Sequence, residues 1–168
     1  MQKIYITCGL VGSGKSTWAK SIAIKEKNTV IVCRDDIRTM LKKEYIYDKD
    51  IEGLVKHITC QIIVSSLMRG YDIIIDETNI KKDTRKLWLN VTAFPKIIET
   101  SIMLFPESKN NLENRMKDPR GYSRDKWEKV IEGMKNSFEC PTIDEDPRIN
   151  SITKVELINN EYKYTKMA

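Results

Sequence analysis

The sequence predicts an α/β fold, a parallel sheet with helices on both faces. Three observations predict it. Short β-branched runs alternate with helical patterns. The first run, Ile4 to Cys8, leads directly into a glycine-rich stretch, G-L-V-G-S-G-K-S-T, Gly9 to Thr17. A helical pattern begins where that stretch ends. At 168 residues the chain reads as one domain, 1–168, long enough to bury a sizeable core.

Taken in order, the strand-like runs are Ile4–Cys8, Thr29–Cys33, Ile73–Ile75 and Ile97–Phe105, with a last strand over 152–158. Helical patterns cover 15–26 and 36–45. In 50–69, Ile51, Leu54, Val55, Ile58 and Ile62 recur at helical spacing. Residues 81–93 carry Leu87, Trp88 and Val91. Two later helices, 107–117 and 123–138, flank K-D-P-R-G-Y-S, a break marked by Pro119 and Gly121. Residues 140–150 read as loop, with Pro141 and Pro147.

Composition narrows the class. The chain is 40% hydrophobic and 32% charged, the balance of a soluble globular domain. No apolar run approaches the roughly 20 residues of a membrane span. The first apolar run is too short for a signal peptide, so the expectation is a cytoplasmic protein with no membrane partner. Cys8, Cys33, Cys60 and Cys140 form no C-x-x-C pair, and His57 is the one histidine, which argues against a disulfide framework or a zinc site. A net charge of +5 is compatible with a phosphate-rich partner without demanding one.

The glycine-rich stretch matches G-x-x-x-x-G-K-S/T at Gly9, Gly14, Lys15 and Ser16. Glycines let backbone N–H groups of Gly9, Gly12, Ser13 and Gly14 approach phosphates, and the helix through Thr17 adds its positive end. Lys15 reaches the β and γ phosphates, and the Ser16 hydroxyl binds Mg²⁺. The nucleotide is expected to be ATP. A structural glycine turn would leave Lys15 unexplained.

Ligands of open α/β sheets bind at the carboxyl ends of the strands. The second strand runs into R-D-D-I-R, Arg34 to Arg38. A hydroxyl acceptor needs a carboxylate to take its proton, and an acceptor with phosphates needs an arginine. Asp35 and Arg38 suit those roles, but Asp35 or Asp36 equally suits a helix N-cap. The third strand ends in D-E-T-N, Asp76 to Asn79. Asp76 is placed as a Walker B-like carboxylate for Mg²⁺, and Glu77, Thr78 and Asn79 follow it toward the same crevice, with Thr78 or Asn79 also able to cap the next helix.

Together, G-S-G-K-S-T-W-A (Gly12 to Ala19), R-D-D-I-R and D-E-T-N, in that order, resemble the kinase domain of bacteriophage polynucleotide 5′-kinases. The resemblance spans Lys3 to about Ser137 and implies the P-loop kinase fold, with five strands ordered 2-3-1-4-5 and a helical lid at 107–138. It implies that Lys15 and Ser16 serve ATP and Mg²⁺ and that Asp35 is the general base on a 5′-hydroxyl of DNA or RNA. Arg38, with Thr78, would contact the phosphate 3′ to the acceptor nucleotide. Arg120, in D-P-R-G, resembles the lid arginine that closes over the transferring phosphate, with Arg115 assisting. Arg85 matches a basic family position at the substrate. Glu77 stands where the family usually has aspartate. Many phage relatives continue into a 3′-phosphatase with D-x-D-G-T. The chain lacks that motif, so no phosphatase activity is expected; Asp144-Glu145-Asp146 resembles it only superficially.

The alternatives are a kinase of a small molecule (nucleoside, nucleotide or sugar), or of a hydroxylated base within DNA, using the same loop, base and lid. A GTPase-type switch is disfavoured, since N-K-x-D is missing and D-x-x-G occurs only at Asp118–Gly121. Lys81, Lys82 and Lys86 line either a strand-binding groove or a solvated face. Trp18, Trp88 and Trp127 read as core, His57 as structural or surface, and Tyr122 as a weaker candidate for base stacking, as is the 140–147 loop.

Overall fold

The computed structural model describes residues 1–42, 48–93 and 98–168. The helical pattern expected through residue 45 and the strand start at Ile97 fall partly outside them.

β1 (Gln2–Cys8), β2 (Thr29–Val32), β3 (Asp72–Ile75), β4 (Ile98–Leu104) and β5 (Ile149–Ile158) form a parallel sheet in the order β2-β3-β1-β4-β5. This is the expected order. A further strand, β6 (Glu161–Lys166), pairs antiparallel with β5, so the sheet is mixed and six-stranded rather than parallel and five-stranded. The turn explains it: Asn159 and Asn160 both take positive φ, 52° and 63°, as a two-residue hairpin of primed type requires.

The helices are α1 (Lys15–Lys25), α2 (Arg34–Lys42), α3 (Lys49–Met68), α4 (Lys82–Val91), α5 (Asn111–Met116) and α6 (Arg124–Asn136). The main core lies on one face of the sheet. There Ile4, Ile6, Ile73 and Ile75 meet Ile63 and Leu67 of α3 and Trp88 and Leu89 of α4. On the other face, Trp18 and Ala19 of α1 pack with Ile74, Met103, Phe105 and Val155. The strands alternate inward residues between these two layers, as buried parallel strands do.

α3 corrects one reading. By length and composition it could cross a membrane. Here Val55, Thr59, Ile63 and Leu67 form a buried stripe against the domain, and Asp48 caps the helix through the Asp50 amide at 3.0 Å. The tryptophans are core residues, at 1% (Trp18), 0% (Trp88) and 2% (Trp127) exposure.

Candidate active site

The phosphate loop sits where β1 meets α1. Gly12 has φ 72°, and a Cβ there would lie 1.9 Å from the Asn111 carbonyl oxygen, so no side chain fits. Gly14, at the N-cap of α1, has φ 94°. Lys15 is buried. Its ammonium donates to the Leu10 carbonyl at 2.6 Å and the Ser13 hydroxyl at 3.3 Å, folding back over the loop. Burial pulls its pKa down to about 8, opposed chiefly by the nearby Asp76 carboxylate. Ser16 and Thr17 are exposed on the first turn of α1. Burial raises the Asp76 pKa, opposed by the nearby Ser16 hydroxyl and Lys15 ammonium. A hydroxyl and a carboxylate side by side at the loop are hard oxygen donors of the kind Mg²⁺ takes.

A cavity of about 770 Å³ opens from this loop. It runs past Arg115 and Arg120 to Leu157, Ile158 and Tyr162 at the ends of β5 and β6. That volume is in the range of small-molecule sites.

On the acceptor side, α2 begins at Arg34, so Asp35 and Asp36 lie inside its first turn rather than at its cap. One Asp35 carboxylate oxygen accepts from Arg38 Nη1 at 2.6 Å and the other from Arg120 Nη1 at 2.8 Å. Arg38 also donates from Nε and Nη2 to the two oxygens of Glu52 on α3, at 2.6 and 2.7 Å. The Arg38 guanidinium lowers the Glu52 pKa. Sequence reasoning missed Glu52. It stands in an ordinary amphipathic helix, and no motif marks it.

The D-E-T-N segment divides between site and scaffold. Asp76 lies close enough to the loop to act on the Lys15 charge. Glu77 does not face an acceptor: Arg34 holds both its oxygens, with Nε at 2.6 Å from Oε1, and the Arg34 guanidinium sits 5.3 Å from the Trp88 ring centre. Asn79 is buried at 1% exposure with φ 44°. Its amide donates to the Thr7 carbonyl at 2.8 Å and accepts from the Trp88 indole at 2.9 Å, so it braces β1 against α4 instead of binding substrate. The Thr78 carbonyl takes the Gly9 amide at 2.9 Å, tying this segment to the phosphate loop.

Arg85 is likewise a correction. It is 0% exposed, paired with Glu145 through two hydrogen bonds, and donates to the carbonyls of Asn79 at 2.9 Å and Glu139 at 3.0 Å. A buried guanidinium that spends its donors this way cannot line a substrate groove. Lys81, Lys82 and Lys86, on the same helical stretch, are exposed.

The segment expected to be the lid folds as α5, α6 and the break between them. Arg120 takes φ 47° there. The Trp127 indole fixes the break by donating to the Pro119 carbonyl at 2.8 Å, and the Arg115 guanidinium lies 4.3 Å from the Trp127 ring centre. The Asn114 amide donates to the Gly12 carbonyl at 3.1 Å, so the lid stands on the phosphate loop. Tyr122 packs against Trp127 at 5.3 Å, with Lys126 Nζ 3.6 Å from its ring centre. The 140–147 segment is not the wall of the cavity: Glu145 is committed to Arg85 and Asp146 to Arg148.

Comparison with known proteins agrees with this geometry. The AAA domain family matches residues 4–141. Among solved structures, a chain of the Pnkp1/Rnl/Hen1 complex is 26% identical with a TM-score of 0.59, over 70% of this chain and 38% of that one. This chain thus spans well under half of that protein. A fungal RNA kinase superposes with a TM-score of 0.70 at 11% identity, over 95% of this chain and 78% of that one. Kti12 of Chaetomium thermophilum, in complex with ADP-AlF3, gives a TM-score of 0.58 at 14% identity, over 90% of this chain and 87% of that one. With its phosphate loop and this sheet order, the chain belongs to the AAA domain family and has the P-loop kinase fold.

Proposed function

We propose that the protein is an ATP-dependent polynucleotide kinase that phosphorylates the 5′-hydroxyl end of DNA or RNA. The observation that carries this reading is the Asp35 carboxylate held between Arg38 and Arg120, one from the acceptor helix and one from the lid. A carboxylate there can take a proton. Arg38 beside it suits an acceptor that brings its own phosphate. Arg120 reaches from the lid to the point where donor and acceptor must meet. The fold shared with an RNA kinase, and with a chain of the Pnkp1/Rnl/Hen1 complex, supports the nucleic acid acceptor.

In this mechanism the phosphate loop, with Gly9, Gly12, Ser13, Gly14 and Thr17, cradles the triphosphate. Lys15 swings from the Leu10 carbonyl to the β and γ phosphates. Asp35 accepts the proton of the 5′-hydroxyl as its oxygen attacks the γ-phosphorus in line. The bond from that phosphorus to the bridging oxygen breaks, and ADP leaves. Arg120, with Arg115, neutralises charge on the transferring group. Ser16 and Asp76 would hold Mg²⁺, which would supply further charge neutralisation. Thr78 is left to assist Arg38 at the acceptor.

The test offers ATP labelled at the γ-phosphate, with Mg²⁺, to 5′-OH DNA and RNA oligonucleotides, a 3′-nucleoside monophosphate and free nucleosides. Label at oligonucleotide 5′ ends is the expected result and ranks DNA against RNA. Label on mononucleosides alone would overturn the polynucleotide reading in favour of a small-molecule kinase.

A further inference from the structure

We propose that the β5–β6 hairpin is the subsite for the donor's nucleobase, with the cross-strand pair Leu157 and Tyr162 as its platform; this rests on the nucleotide-donor reading above. β6 is the strand that the motifs did not announce. Its placement gives the cavity a second, apolar end.

The register settles which side chains share a face. Val155 pairs with Tyr164 and Leu157 with Tyr162. Directly opposed residues of an antiparallel ladder, and residues two apart on one strand, lie on the same face. Val155 is buried among Trp18, Phe105 and Met103, which makes this the α1 side of the sheet. Both tyrosines are tied to α1. Tyr164 accepts from the Trp18 indole at 3.1 Å, and Tyr162 packs against the Trp18 cluster beside Ser21. The Leu157–Tyr162 rung is therefore held beside the helix whose first turn bears Lys15 and Ser16.

The cavity joins the two ends. Its lining includes Gly14, Lys15 and Thr17 of the loop, Lys20 one turn along α1, and then Leu157 and Tyr162. Leu157 is 59% exposed although apolar, and Tyr162 is partly covered by the α1 cluster, so the rung combines an open aliphatic surface with a braced aromatic one. A planar base gains from both surfaces, and stacking of this kind tolerates different bases.

Sheet order separates this end from the acceptor. The phosphate loop follows β1. Arg34 to Arg38 and Asp76 to Asn79 follow β2 and β3 on one side of it, whereas β5 and β6 lie on the other. A nucleotide whose γ-phosphate faces Asp35 must extend its nucleoside away from β2, toward the hairpin.

The test measures binding of Mg²⁺-ATP and of Mg²⁺-tripolyphosphate by calorimetry to the wild-type chain, Tyr162→Ala and Leu157→Ala. The expected result is that Tyr162→Ala weakens ATP by about tenfold or more and Leu157→Ala by about threefold. Tripolyphosphate, which has no base, binds all three alike. Because Leu157 is largely exposed, its variant keeps the test valid if Tyr162→Ala lowers the melting temperature. Equal weakening of both ligands, no weakening of either, or a raised KM for the oligonucleotide with ATP affinity unchanged would overturn the subsite alone. A wild-type chain that binds neither ligand would overturn the nucleotide-donor reading and this inference with it.

Discussion

Arg120 Nη1 stands 2.8 Å from Asp35 Oδ2, although the two residues are 85 positions apart. The break between α5 and α6 thus rests on the carboxylate proposed as the base. Both groups are only partly covered, with side-chain exposures of 24% and 32%, so the pair is reachable by incoming ligands. Such a pair adds little to stability. Its weight lies in placing a positive charge at the acceptor edge.

Replacing Asp35 with Ala should lower phosphoryl transfer by about 10²–10⁴ while ATP binding persists. Single-turnover transfer and equilibrium ATP binding on the same preparation check this. Full activity in the variant would remove Asp35 as the base.

Arg120→Ala should lower kcat by about 10³ or more, since an arginine on a transferring phosphoryl group is worth that much. Arg120→Lys should recover only part, because lysine lacks the planar fork. A change confined to KM, with kcat intact, would assign Arg120 to ground-state binding instead.

Lys15 makes nucleotide binding pH-dependent. Its pKa is about 8, lowered by burial, and bound phosphates favour the charged ammonium. ATP binding should therefore draw in a proton above that pH and none well below it. Calorimetry in buffers of different ionisation enthalpy, at about pH 9 and about pH 6.5, reads the difference. The folding side has a matching sign. The buried ammonium costs stability most below about pH 8, and the cost is relieved as pH rises toward the ordinary lysine range.

Glu145→Gln or Arg85→Met should destabilise the fold by about 3–5 kcal/mol, because each leaves a buried partner unpaired. The unfolding midpoint in denaturant measures this. Activity per folded molecule should change little for Glu145→Gln. A selective rise in oligonucleotide KM at unchanged stability would restore Arg85 as a substrate contact.

Gly12→Ala should raise the KM for ATP about tenfold or more. The added methyl has no space against the Asn111 carbonyl, and φ 72° is strained for any side chain. Steady-state kinetics at saturating acceptor would show it, and wild-type KM would mean that the lid yields easily.

Several residues read differently in space than in sequence. K-K-D-T-R-K looks like a solvated basic run, yet Arg85 falls on the buried stripe shared with Trp88 and Leu89, and its counter-charge comes from Glu145, 60 residues later. Glu77 and Asn79 sit beside Asp76 and share its motif, but Arg34 and Trp88 claim their side chains. Glu52 was invisible because its partner, Arg38, is brought to it only by the packing of α3 on α2.

The sequence by itself determined the phosphate loop and the strand–helix alternation, because glycines, β-branched runs and helical periodicity act through local backbone physics; the sheet order was an expectation carried by the family resemblance. It also placed Asp35 and Asp76 on the segments that follow the strands, while Arg120 was named by the family resemblance. Only the tertiary structure decided which charges pair, which polar side chains are buried, and that β6 closes the far end of the cavity. Those outcomes depend on contacts between residues distant in the chain, where desolvation and opposite charge, rather than spacing, select the partner.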